Sequence, residues 1–220
     1  MDAWCGGIHE DMLQRPAAGR IILVRHGETE ANRGKYFAES DDIPLTPAGR
    51  QQARELARRI DSEYRIYAVL SSAFARARET GEIIARELNL ANEVIEGIHE
   101  RDFGCLRGLP YWRLGEMMNE DASYDPQKAW MWAPAGGESL DDVRRRAIAA
   151  LEPVRERYSD RDVVVVCHGA VIQALCAHLR ESWAEPFVPA NCAMVLVSHD
   201  AQGWGLALTP GDCEPLDVGT

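Results

Sequence analysis

Two hydrophobic periods take turns along this chain. Ile21–Val24, Ile66–Leu70 and Val163–Val166 are short apolar runs, the last entirely β-branched, as expected of strands covered on both faces. Between them the spacing turns helical. Ala53, Leu56, Ala57 and Ile60 form one face of a segment from Pro47 to Ile60, with Thr46 placed to cap it and Pro47 at its first position. A second helix is expected from about Phe74 to Leu90. A third opens at Ser139, with Asp141 and Asp142 in its first turn and Val143, Ala147, Ala150 and Val154 on one side, while Pro153 weakens its last turns. Ala170–Leu179 reads as a helix directly after the third apolar run. Near the end, Ala193–Val197 and Trp204–Leu208 flank a turn at Asp200–Gly203, which suggests a hairpin on a sheet edge.

Strands alternating with helices predict an α/β fold. The expected architecture is a single-domain, three-layer α/β/α arrangement with a mostly parallel central sheet and an antiparallel edge near the C-terminus. Residues 1–19 carry no hydrophobic period and read as a loose leader, 20–212 as the domain and 213–220 as a tail. Between Phe103 and Gly137 the period is lost, and Tyr111, Trp112, Tyr124, Trp130 and Trp132 gather among glycines and prolines. This insertion is expected to rise above the sheet. Its aromatics anchor irregular structure or, if it is a lid, shape substrate choice.

The composition narrows the function. With 220 residues, 46% of them hydrophobic, the chain can bury a substantial core. A net charge of -11, from 35 acidic and 24 basic residues, argues against a sequence-independent nucleic-acid binder and against attachment to anionic lipid. No apolar run approaches a membrane span, and Met1–Glu10 lacks a basic start and an apolar stretch, so the default expectation is a cytoplasmic protein. The six cysteines show no Cys-x-x-Cys spacing and are read as reduced and mostly buried.

Against this acidic background, cations collect at strand ends. His26-Gly27 follows the first apolar run and His168-Gly169 follows the third; Arg25 precedes the first pair, and Arg76 falls in the first turn of the helix after Ile66–Leu70. Residues just past the carboxyl ends of parallel strands converge on one crevice. Arg25, His26, Arg76 and His168 would there form a pocket for a phosphoryl group, since guanidinium matches phosphate oxygens in pairs. Arg78 is assigned to the solvated face. Neutral imidazole is nucleophilic near neutral pH, so one histidine could attack phosphorus while the second, if protonated, offsets charge on the equatorial oxygens. Position alone does not say which attacks. A leaving alkoxide needs a proton, and Glu100 and Asp102 are both candidates to give it. No P-loop, Gly-x-Ser-x-Gly elbow or His-Glu-x-x-His pair is present. Cys167 is read as a buried strand end rather than a nucleophile, and no metal and no cofactor are expected.

These strings resemble the histidine phosphatase superfamily, in its phosphoglycerate mutase-like branch. Arg25–Thr29 is similar to the family's Arg-His-Gly-Glu-Thr, Ser71–Ala77 to its Ser-Ser-x-x-x-Arg-Ala and Glu100–Gly104 to its Glu-x-x-Phe-Gly, and His168-Gly169 supplies the second pair. The resemblance implies His26 as the phosphorylated nucleophile and Glu100 as the proton donor. It implies Arg25, Arg76 and His168 as ligands of the phosphoryl oxygens, with Thr29, Asn32 and Gly169 lining the site. Mutases of this type resemble longer chains with an Arg-Arg pair in the insertion and a basic tail, whereas here Gln127–Trp132 lacks that pair and Asp212–Thr220 is acidic. Pro134–Ser139 looks like the Pro-x-Gly-Gly-Glu-Ser element of phosphatase members. The implied function is hydrolysis of the phosphomonoester of a small phosphorylated metabolite, without metal, through a phosphohistidine. Phosphoglycerate mutase-type transfer and a catalytically weak phosphate-ligand or protein-binding module are the rivals. The C-terminal hairpin leaves a sheet edge on which a homodimer could form.

Overall fold

In the central strands, successive side chains enter opposite cores. Ile21, Leu23, Val163 and Val165 face one side and Ile22, Val24, Val164 and Val166 the other, all essentially inaccessible to solvent. That two-sided burial explains why the runs are apolar without alternation.

The computed structural model describes residues 19–184, 187–200, 203–208 and 213–215. The expected leader, but for Gly19, and residues 216–220 of the expected tail lie outside the described residues, as do 201 and 202 of the expected turn. In chain order the elements are β1 (Arg20–Arg25), α1 (Glu30–Gly34), α2 (Pro47–Glu63), β2 (Ile66–Ser71), α3 (Ala75–Glu87), β3 (Asn92–Val94), α4 (Arg113–Glu120), α5 (Leu140–Arg157), β4 (Asp162–Cys167), α6 (Gly169–Leu179), β5 (Phe187–Pro189), β6 (Met194–Asp200), β7 (Gly203–Leu208) and β8 (Cys213–Pro215). The main sheet has the order β3-β2-β4-β1-β6-β7. The first four strands in that order run parallel, and β6 and β7 add antiparallel partners at one side. β5 and β8 form a separate antiparallel pair. Among the described residues, the outer edge of β7 pairs with no strand.

Helices α5 and α6 cover one face through Val143, Ala147, Leu151, Val171 and Leu175. Helices α2 and α3 cover the other through Leu56, Ala57, Ile60, Ala77 and Ile84. The expected three layers are therefore present. Thr46 accepts the Gly49 amide at the start of α2, and Ser139 and Asp142 bond each other's amides in a capping box at the start of α5. α5 continues past Pro153 to Arg157. The proline forfeits one helix hydrogen bond, but Leu151 and Val154 on either side of it are buried in the core and hold the last turns.

One expectation needs correction: the insertion is not irregular throughout. It contains α4, whose Leu114, Met117 and Met118 join Phe37, Leu106 and Trp132 in a small core of their own. The helical spacing is there, but eight residues are too short a window for it to stand out. The aromatics divide. Trp132 is buried with its indole N–H on Asp121 (2.9 Å), whereas Trp112 is 62% exposed. Among the described residues no helix is long and apolar enough to cross a membrane.

Candidate active site

Three parallel strands end side by side, and the residue after each enters one pocket. Arg25 is in register with Cys167 across the β1/β4 pair, so the next residues, His26 and His168, emerge as neighbours with ring centroids 5.2 Å apart. The His26 amide bonds the Cys167 carbonyl at 3.0 Å, extending that ladder by one step. Ser72 follows β2, and its hydroxyl lies 2.9 Å from His168 Nε2. Both imidazoles are buried.

Hydrogen bonding fixes the tautomer of His26. Its Nδ1 stands 2.8 Å from the Gly27 carbonyl, an acceptor only, so Nδ1 carries the proton and Nε2 keeps a free lone pair. For His168, Nε2 is engaged by Ser72 and Nδ1 is buried with no partner; Arg76 Nη1 is likewise buried and unpartnered. A buried donor without an acceptor is costly, so Arg76 Nη1, beside the unpartnered His168 Nδ1, marks the place where an anion's oxygen would satisfy it. Arg76 is the second residue of α3, and its guanidinium lies 5.1 Å from the Phe74 ring. That ring also meets His168 edge-on at 5.3 Å. Arg25 Nη1 donates to the Pro189 carbonyl at 2.6 Å. A methyl on Gly169 would stand 3.2 Å from Val188 Cγ1, a tight contact, and in ordinary contact, 3.7 Å, with Arg25 Nε. Arg78 is exposed beside Glu82, as expected.

Burial, then Arg76 and Arg25, hold the His26 imidazole well below its ordinary pKa. His168 is lowered in the same way by burial, Arg76, His26 and Arg25. Both are therefore neutral in the ligand-free pocket, which suits a nucleophile. In the ligand-free pocket the positive charge therefore comes from the arginines. A phosphoryl dianion would oppose the arginine fields that keep these rings neutral.

The structure separates the two candidate acids. A carboxylate oxygen of Glu100 and ring nitrogens of His26 and His168 all lie within 4.8 Å of one another. Glu100 Oε1 accepts the Arg101 amide at 2.9 Å and the Ala170 amide, at the N-terminus of α6, at 3.2 Å. Asp102 instead turns into its own loop, bonding the Gly104 amide and Arg107 Nε. The His26–Glu100–His168 trio has enough donors for a metal ion, but its neighbouring guanidinium groups make the pocket favour an anion over a dication.

Thr29 and Asn32 play a different part from phosphate lining alone. Together they form the capping box of α1. Asn191 donates to both the His26 carbonyl (3.0 Å) and Asn32 Oδ1 (3.1 Å), and Asn32 Nδ2 reaches the Tyr111 hydroxyl at 3.3 Å. The pair thus fixes the loop after His26 and links it to the insertion. Sequence reasoning missed Ser72 and Asn191. Ser72 lies within the Ser71–Ala77 string, whereas Asn191 acts through tertiary contacts that leave no local pattern.

The profile of the histidine phosphatase superfamily (branch 1) matches residues 21–209. Phosphoglycerate mutase-like protein 4 of Arabidopsis thaliana is 35% identical over 164 residues, covering 74% of this chain and 71% of that protein. The metal-independent phosphoserine phosphatase of the same plant is 33% identical over 177 residues, covering 79% of this chain and 74% of its own. Among solved structures, a mycobacterial glucosyl-3-phosphoglycerate phosphatase bound to VO3 superposes with a TM-score of 0.71 at 28% identity, covering 86% of this chain and 98% of that one.

Proposed function

This chain belongs to the histidine phosphatase superfamily, and on that footing we propose that it hydrolyses the phosphomonoester of a small metabolite, without metal, through a phosphohistidine on His26. The observation that carries this reading is the pairing of a neutral His26, its Nε2 free, with a buried Arg76 donor that lacks an acceptor and a buried, unpartnered His168 Nδ1. In the first step His26 Nε2 forms a bond to phosphorus and the ester P–O bond breaks. Glu100, carrying a proton, gives it to the departing oxygen. In the second, Glu100 takes a proton from water as that water attacks phosphorus; the P–N bond breaks and phosphate leaves. Arg25, Arg76 and His168 hold the equatorial oxygens throughout, because phosphoryl transfer depends chiefly on positioning and charge stabilisation. Gly169, Thr29 and Asn32 shape the walls.

Relatives bear names of both phosphatase and mutase-like proteins, so transfer back to a sugar acid is the reading to set against hydrolysis. The insertion without an Arg-Arg pair and the acidic last residues support hydrolysis. The test is phosphate release from an aryl phosphate in the presence of chelator, with His26→Ala as control. Chelator-resistant release that the substitution abolishes, with an acid-labile, base-stable phosphoenzyme trapped on quenching, is the expected result. Chelator-sensitive release, or turnover in His26→Ala, would overturn it. Relocation of phosphate from a bisphosphorylated primer with no net release would make the chain a mutase.

A further inference from the structure

The residues that precede and carry Glu100 form no regular structure: from 95 to 103 the backbone belongs to neither helix nor strand. Such a segment needs partners for its polar groups from elsewhere. One side chain supplies three of them. Arg146, on α5, places Nη1 2.9 Å from the Gly97 carbonyl and 2.7 Å from that of His99, and Nη2 3.1 Å from that of Glu100. Its remaining N–H groups form a two-point pair with Glu138, Nε to Oε1 and Nη2 to Oε2, both at 2.9 Å. All five guanidinium donors are thereby used.

Glu138 completes the grip from the other side. The Oε2 that receives Arg146 also accepts the Asp102 amide at 2.9 Å, and the Glu138 carbonyl accepts Arg101 Nε at 2.8 Å. Glu100 is therefore bracketed, with its own carbonyl and those before it held by a cation and the amide two residues on held by that cation's carboxylate partner. Neither Arg146 nor Glu138 bonds the Glu100 carboxyl, which rests on the Arg101 and Ala170 amides. Ser139, the cap of α5, ties this arrangement to the helix that presents Arg146.

We infer that Arg146, clamped by Glu138, is a positioning residue for acid–base catalysis: it sets where the Glu100 carboxyl stands relative to the leaving oxygen, without touching substrate. A lysine cannot reproduce this, since a single ammonium cannot span three carbonyls and a two-point carboxylate pair. The inference rests on Glu100 being the proton donor.

The experiment compares kcat/KM for an aryl phosphate, whose phenoxide leaves without help, and an alkyl phosphate, whose alkoxide needs the proton. It uses the native chain, Glu100→Gln, Arg146→Lys and the double variant. Arg146→Lys should lose about tenfold or more on the alkyl ester beyond its loss on the aryl ester, the lower end of what general acid catalysis contributes. In the double variant that selective loss should be no greater than in Glu100→Gln alone. Equal losses on both esters, or a further selective loss in the double variant, would overturn the inference while leaving Glu100 as acid. If Glu100→Gln itself treats both esters alike, the assignment of the acid fails and the inference falls with it. Should Arg146→Lys not fold, Glu138→Gln, which keeps shape and weakens the clamp, takes its place in the same comparison.

Discussion

Thr80 joins two parts of the site that come from different strands, and replacing it with valine isolates that joint. Its Oγ1 accepts the Gly27 amide at 3.0 Å and donates to the Arg76 carbonyl at 2.7 Å, with no part of the residue exposed. Valine preserves the shape but strands the buried Gly27 N–H, while the Arg76 carbonyl keeps the helical acceptor role it has in any case. An orphaned buried donor costs about 1–3 kcal/mol, and that is the expected loss in urea unfolding. Serine keeps the hydroxyl and forfeits one methyl, about 0.8 kcal/mol, so it should fall between native and valine. Activity should follow the hydrogen bond rather than the volume. The Gly27 carbonyl fixes His26 Nδ1, and a displaced nucleophile loses roughly tenfold to hundredfold in kcat for an aryl phosphate, while the serine variant stays close to native. A valine variant within about 0.5 kcal/mol of native stability and with native kcat would refute the reasoning, because a solvated or repartnered Gly27 amide would then bear no load.

Two further outcomes follow from the same geometry. A methyl on Gly49 would sit 2.2 Å from the Glu28 carbonyl oxygen, a backbone atom that cannot swing aside, so Gly49→Ala should lower unfolding stability by at least about 2 kcal/mol; a thermal midpoint unchanged from native would contradict this. Because burial and the arginines depress His168 in the folded chain, the unfolded state binds a proton below about pH 6.5 that the native state does not. Its contribution therefore favours folding above that pH and declines as the solution is acidified through the window down to the native value. Between pH 7.5 and 5.5, native protein should lose up to about 1.4 kcal/mol more than His168→Gln in urea titrations, and saturating vanadate should shrink the difference; identical losses would refute the assigned state.

The sheet was readable from the chain because a strand buried on both faces announces itself as an unbroken apolar run, and Ile21–Val24 and Val163–Val166 do so. Given parallel strands, topology alone brings together the residues that follow them, which is why His26, His168 and Arg76 group together from the sequence. What stayed hidden depends on tertiary environment. Glu100 and Asp102 differ little as sequence, yet one meets the start of α6 and the other its own loop. The neutral state of His168 comes from the burial and crowding of cations, not from its neighbours in the chain. α4 was too brief to display its period, and Arg146 looks like any helix arginine until its carbonyl partners fold onto it. Pro153 reads as a helix breaker and is overruled by the packing around it.

The alignment of Arg25 with Cys167 makes the reactive centre a late product of synthesis. His26 leaves the ribosome early, on a strand whose parallel partner is still untranslated, and in that interval its imidazole has neither the second histidine nor the desolvation that tunes it. Only when Asp162–Cys167 slots into place does His168 stand beside the proposed nucleophile. Parallel pairing across such a separation carries a large loop-closure cost and comes slowly. Turnover in a refolding mixture would thus require the closure of the central strand pair, and would stay silent for every partly folded form that lacks it.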